Sequence, residues 1–215
     1  MTQLLALDEI VFDEEPHTYT VGGKRFVSVT QAIRTAGFGP DFSAVPLELM
    51  EYAQDRGRLV HMACQYYNDG DLDLGTVDEK IRGYVEAYID FRLHCSMKVS
   101  YVEKRLAWVA LGLAGTPDMV CFINGRRAVV DLKTSQNLGK DAGLQTAGYQ
   151  ILHELNFPNQ MIYGRYGLRL GKDGKFKLIP HERETDLMAF RDCLDYAKAK
   201  AAKDRWNETY GRMAA

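Results

Sequence analysis

The dipeptide Asn124-Gly125 constrains this chain more than any other feature, because it stands between two β-prone runs, Leu113 to Ile123 and Arg127 to Thr134. Asn-Gly accepts positive φ at both central positions of a tight hairpin turn, which most residues resist. A two-residue turn there pairs Ile123 with Arg126. Counting outward from that pair sets Asp118 opposite Asp131. Directly opposed residues share one face of the ribbon, with Cβ atoms about 5 Å apart. Lys133 lies two residues beyond Asp131 and so projects from the same face. A four-residue loop would keep that face. A three-residue loop or a bulge would break it, and Pro117 invites local distortion.

Two carboxylates so placed repel by roughly 4 kcal/mol at about 4 Å and an effective dielectric of about 20. Val129 shares their face while Val130 and Leu132 fill the other, so the strand is expected to be buried on at least one side. A hard cation, Mg2+ or Mn2+, resolves the repulsion, since it seeks carboxylate oxygens together with water and phosphate. Such an ion polarises a phosphoryl oxygen and acidifies a bound water. Lys133 would then hold the attacking water or stabilise charge developing on phosphate. The plain alternative is two surface acids near a hairpin, with Lys133 neutralising one of them. Cross-strand registration and the apolar strand weigh against it.

The flanking sequence supplies the frame. Residues 10–27 read as a hairpin turning at Gly22-Gly23, and Ser28 or Thr30 can cap a short helix ending near Gly37. From Pro46 to Asn68 the apolar positions Met50, Ala53, Gly57, Val60 and Cys64 recur at helical spacing. A second helix is expected from Asp78 to His94. The period then changes to two over Val99–Val109, Leu113–Ile123 and Arg127–Thr134, read as three strands. A helix at about 141–155, strands near 160–170 and 174–180, and a charged helix from Thr185 to Tyr210 complete the chain. This order implies an α/β (α+β) fold with a central mixed sheet flanked by helices. Residues 1–45 read as a hairpin-and-helix extension and 46–215 as the core, together one compact domain.

A net charge of −2 over 215 residues excludes a general polyanion binder; affinity for nucleic acid must come from a local basic cluster or a bound ion. Cys64, Cys95, Cys121 and Cys193 form no CxxC pair and read as reduced core thiols, which suits a cytoplasmic protein. The first 15 residues carry Asp8, Glu9, Asp13, Glu14 and Glu15, the wrong charge for a signal or transit peptide. No apolar run approaches the ~18 residues of a membrane span.

Four motifs occur in order: Arg56-Gly57-Arg58-Leu59-Val60-His61, Gly115-Thr116-Pro117-Asp118, Asp131-Leu132-Lys133-Thr134-Ser135 and Gln145-x-x-x-Tyr149. In them the chain resembles the PD-(D/E)XK nuclease superfamily, and within it the RecB-like branch, over about residues 56–155. It also resembles the mitochondrial genome maintenance exonuclease family. His17-x-Tyr19 and Ser28-Val29-Thr30 are similar to stretches of phage-encoded exonucleases. The resemblance implies a restriction-endonuclease-like core. It makes His61, Asp118, Asp131 and the Leu132 backbone carbonyl metal ligands, and it assigns catalysis to Asp118, Asp131 and Lys133. Gln145, Tyr149, Thr134 and Ser135 would contact substrate. Gln145 and Tyr149 are one helical turn apart and share a face. A lone histidine on an apolar helix face is ordinarily a satisfied core residue, so the role of His61 rests on the neighbouring motifs. An imidazole ligand suits Mn2+ better than Mg2+. Branches with an iron–sulphur cluster group their C-terminal cysteines, whereas this chain ends with Cys193 alone, so no cluster is expected. Glu86 and Glu103 are further acids that could enter the site, and Glu103 lies on the strand beside the hairpin, but a solvated or salt-bridged role is the first expectation.

The implied activity is hydrolysis of DNA phosphodiesters. Without a recognition module in the sequence, cutting at single strands or ends is expected over sequence-specific cutting. Lys140, Arg165, Arg169, Lys172, Lys175 and Lys177 are candidates to follow a nucleic-acid backbone, and Trp108, Tyr149, Tyr163 and Tyr166 to stack on bases. The expected setting is recombination, repair or replication of a phage or bacterial genome, with recombination or single-strand-binding proteins as candidate partners. The alternatives are a structure-specific endonuclease of the same superfamily or a catalytically idle DNA-binding module on that scaffold.

Overall fold

The structure, a computed structural model, describes residues 10–14 and 17–211; Asp8, Glu9 and Glu15 of the acidic start lie outside them. Three strands, β1 (Ile10–Asp13), β2 (Thr18–Val21) and β3 (Lys24–Ser28), form an antiparallel meander. Gly22 and Gly23, at φ 53° and 75°, make the tight turn between the last two. Helix α1 (Val29–Thr35) starts from a reciprocal cap: Gln31 N–H donates to Ser28 Oγ at 3.0 Å and Ser28 N–H to Gln31 Oε1 at 3.2 Å. Helix α2 (Leu47–Asp69) begins after Pro46 and stops at Gly70, whose φ of 81° few other residues tolerate. Helix α3 (Glu79–His94) is capped by the Asp78 carboxylate, which accepts from Lys80 N–H at 2.8 Å.

The β-rich middle differs from the sequence reading in one way. Each of the two long runs expected as one strand is split in two. They form β4 (Met97–Val102) and β5 (Leu106–Trp108), then β6 (Leu113–Gly115) and β7 (Met119–Ile123). Glu103 leaves the extended region at φ 44°, and Pro117 has no N–H for a ladder, so neither run continues. Then follow β8 (Arg126–Lys133), α4 (Ala142–Asn156), β9 (Gly164–Leu170), β10 (Phe176–Pro180) and α5 (Thr185–Gly211). The freed pieces β5 and β6 join the N-terminal meander. The result is two five-stranded mixed sheets, β1-β2-β3-β6-β5 and β10-β9-β8-β7-β4, with helices against them. Parallel pairs occur at β3–β6 and β8–β9. The class is the expected α/β, but the first strands share a sheet with β6 and β5.

The central sheet is buried on both faces. Met119, Cys121, Val130 and Leu132 pack with Val60 of α2 and Tyr88 and Phe91 of α3. Val120 and Val129 pack on the other face with Val29, Leu152 and Phe190 of α1, α4 and α5. Each fully buried aliphatic or aromatic side chain contributes about 1.5–3 kcal/mol. Gly148 lets α4 approach its neighbours, since a Cβ there would lie 2.6 Å from the Phe190 ring and 2.7 Å from Val29. All four cysteines are free, and no described helix is long and apolar enough to cross a membrane.

Candidate metal centre and active site

The hairpin has the register that Asn124-Gly125 implies. Pairs run from Ile123 with Arg126 to Met119 with Val130, and Asn124 and Gly125 stand at φ 50° and 75°. Asp118 lies one step beyond the last pair, opposite Asp131. Its Oδ2 accepts the Leu132 N–H at 2.6 Å, which fixes the carboxylate against the neighbouring strand. Asp131 is completely buried, and Lys133 Nζ lies 2.8 Å from its Oδ2. Its Oδ1 finds no hydrogen-bond donor.

A third acid comes from the other side of β7. Between Val99 and Tyr101 the pairing of β4 with β7 slips by one residue, a bulge at Ser100. That slip brings Val102 opposite Met119, and the next pair is Glu103 with Asp118, joined by a Glu103 N–H to Asp118 O bond of 3.0 Å. Without the bulge Glu103 would face Pro117 instead, because a one-residue shift reverses every facing. The strained φ of Glu103 falls at this same residue.

His61 enters from α2. Its Nδ1 lies 3.2 Å from Glu103 Oε1 and 3.7 Å from Asp118 Oδ1, while Nε2 lies 3.2 Å from the Leu132 carbonyl. The imidazole therefore bridges three oxygens that belong to three strand ends. Burial alone would lower its pKa. The carboxylates of Asp118, Glu103 and Asp131 outweigh burial and push it up to about 9. Protonated His61 thus serves as the local cation. Burial, reinforced by Glu103, raises Asp118 above the usual carboxylate range despite His61, Lys133 and the Leu132 N–H. Burial also raises Asp131, to about 6, against the pull of Lys133. Lys133 is held above its ordinary value, because Asp131 and Asp118 outweigh its burial.

The helix motif completes one side. Lys133 Nζ donates to Gln145 Oε1 at 3.0 Å, and Gln145 Nε2 to Tyr149 OH at 3.2 Å. A chain of polar contacts therefore runs from Asp131 to α4. Thr134 lines a neighbouring cavity, with Ser135 exposed beside it. The central cavity, about 620 Å³, contains His61, Glu103, Asp118, Lys133, Gln145 and Tyr149. Its far wall is the N-terminal sheet. Tyr19 OH meets Thr116 Oγ1 at 2.8 Å, and His17 Nε2 meets Thr30 Oγ1 at 3.3 Å.

Among the residues expected at the site, the structure brings His61, Asp118 and the Leu132 carbonyl together. It adds Glu103, which the sequence offered as a further acid able to enter the site while favouring a solvated or salt-bridged role. His61, Glu103 and Asp118 each offer a ligand atom within 4.8 Å of the others. Asp131 falls outside that set and is the ion-pair partner of Lys133. Glu86 lies beside the Gly174 turn, away from this group. Arg165 is buried, bound to Gly143 O, Arg183 O and Asp186, so it braces α4 and α5 and faces no nucleic-acid backbone. Tyr149 is buried and offers no open stacking face.

The donor set fits a hard divalent ion: two carboxylates, a backbone carbonyl and one imidazole, with a buried, unpartnered Asp131 oxygen alongside. No protein-family description and no curated protein matches the chain. Solved structures do match. One is the crystal structure of a protein named "Putative exonuclease" from Eubacterium rectale, at 17% identity and a TM-score of 0.50, covering 81% of this chain and 79% of that one. At that identity the likeness is one of fold: this chain shares the mixed α/β architecture of that protein.

Proposed function

We propose that the chain is a divalent-metal-dependent deoxyribonuclease, and specifically an exonuclease acting on single strands or DNA ends. The observation that carries this reading is the convergence of His61, Glu103 and Asp118 beside the Asp131–Lys133 pair. Glu103, Asp118, His61 and the Leu132 carbonyl would hold Mg2+ or Mn2+, with Asp131 the adjoining carboxylate. When bound, the ion supplies Lewis-acid polarisation of a phosphoryl oxygen and an acidified water.

The side chains do the rest. Lys133, raised above its usual pKa, remains an ammonium at neutral pH and faces the cavity. It places fixed positive charge where phosphate oxygens gain negative charge. Gln145 orients that ammonium and is itself held by Tyr149. The buried Asp131 keeps the half-buried Lys133 charged. The shared fold with a protein named as an exonuclease is in keeping with this reading.

The test compares end-labelled linear single strands with covalently closed circles in Mn2+. The proposal expects progressive shortening of the linear strand and intact circles. Equal cutting of both contradicts exonuclease action and points to a structure-specific endonuclease. Binding without cutting in either metal points to an idle DNA-binding module.

A further inference from the structure

A second polar cavity of about 550 Å³ adjoins the metal-centre cavity. Helix α2 crosses the end of β8 between them. Gly57 and Lys133 line the first cavity, and their chain neighbours Arg56 and Thr134 line the second. At the crossing, a Cβ on Gly57 would lie 3.8 Å from Thr134 Oγ1, in ordinary contact, so only this glycine and threonine stand between the two.

The two cavities differ in charge balance. The first is mixed, with Glu14, Glu103 and Asp118 alongside Arg58, Arg105 and Lys133. The second is lined by Arg56, Arg169 and Lys172 against one acid, Asp173, with Ser135 and Asn137 adding polar groups. Arg169 is the register partner of Lys133 across the parallel β8–β9 pair, and its Nη1 donates to Gln136 O at 2.9 Å. Lys172 comes close because α3 carries Gly83 where the β9–β10 turn meets it; any side chain at 83 would strike the Lys172 carbonyl. The Arg56 guanidinium lies 5.4 Å from the Tyr84 ring centroid and 5.9 Å from that of Tyr52. It reaches Thr134 O only at 3.5 Å, and its buried Nε has no acceptor. A guanidinium stacked and held in this way, with spare donors, is prepared for an anion.

We propose that this basic cavity is a second phosphate subsite, which holds a phosphodiester of the same nucleic-acid strand while a neighbouring one lies at the metal centre; this rests on the nuclease reading above. A strand crossing the Gly57–Thr134 contact meets the metal-centre cavity, of mixed charge, at one phosphate and the cation-lined cavity at another. The subsite therefore selects polymeric single strands over isolated phosphodiesters. Phosphate contacts of this kind position a strand without reading its bases.

The test measures binding of a fluorescently labelled twelve-nucleotide single strand by anisotropy, in Ca2+, across a salt series. Arg169→Gln/Lys172→Gln should bind about 10-fold more weakly, with a salt dependence shallower by about one. Lys172→Glu alone, a change on an exposed turn, should weaken binding in the same direction without touching the Arg169–Gln136 bond. The control Lys98→Gln/Lys200→Gln removes the same charge from exposed positions on β4 and α5 and should bind as the unaltered protein does. Binding by the pocket variants equal to that of the control overturns the subsite. Absence of hydrolysis by the unaltered protein in Mg2+ and Mn2+ is a separate result and overturns the nuclease reading itself.

Discussion

Glu103 and Asp118 face each other at the ends of β4 and β7, tied by a 3.0 Å backbone hydrogen bond, and both carboxylates reach the same imidazole nitrogen of His61. Two strand ends thus present their carboxylates to one ring nitrogen from the helix, and a third presents the Leu132 carbonyl to the other. Like charges so close are costly unless a cation sits among them. Protonated His61 is that cation in the metal-free protein, and a divalent ion would supply more charge to the same oxygens.

Glu103→Gln should therefore lower Mn2+ affinity by on the order of 10–100-fold, the range reached when partners of a metal site are lost. Calorimetric titration with Mn2+ checks this. Unchanged affinity would leave Glu103 only its salt-bridged role with His61.

Lys133→Met should cut turnover by about 100-fold or more, as loss of one positioned charge does at such sites. Mn2+ affinity should hold, because the ligand set leaves Lys133 out. Single-turnover cleavage of an end-labelled strand at saturating Mn2+ reads the first effect, and calorimetry the second.

The legible and illegible parts of this site differ for physical reasons. The hairpin could be read because Asn124-Gly125 allows one turn geometry, and a turn fixes every pair beyond it. The helix starts at Ser28, Pro46 and Asp78 could be read because caps are local chemistry. The bulge at Ser100 could not, since nothing in Val99-Ser100-Tyr101 marks an extra residue, so Glu103 could be named as a further acid but not set opposite Asp118. The splitting of each long β-prone run between two sheets was also hidden. Alternation reports which residues are buried but not which strand they pair with, so β5 and β6 were not assigned to the N-terminal meander. Arg165 was misplaced because a buried, satisfied arginine looks like a surface one in sequence.

His153 supplies a pH dependence of stability away from the candidate metal centre. It is buried on α4, with Nε2 2.8 Å from Gln160 O and Nδ1 2.9 Å from Tyr101 OH. Burial, helped by Arg127 and Lys104, holds its pKa below the ordinary 6.5 although Gln160 O and Glu154 oppose the shift. Above pH 6.5 the ring is neutral in both folded and unfolded chains, and its contribution is flat. Below that pH only the unfolded chain takes up the proton, so stability falls until the folded pKa is passed, by at most about 1.4 kcal/mol per pH unit. His17 and His181 are shifted in the same direction, so comparison with a variant isolates the effect. Urea unfolding of the metal-free protein between pH 7.5 and 5 should show a shallower loss for His153→Gln than for the unaltered chain.

Gly148→Ala should destabilise the fold by about 1–3 kcal/mol, since the added methyl would press on Phe190 and Val29 where α4 meets α5 and α1. The urea midpoint reads it. No loss would mean that the helices separate readily at this crossing.

Crystals soaked in Mn2+ and measured for anomalous scattering test the central claim most directly. The account predicts one strong peak bounded by Glu103, Asp118, His61 and the Leu132 carbonyl, next to Asp131. Manganese bound elsewhere, or no peak at this point, would contradict it.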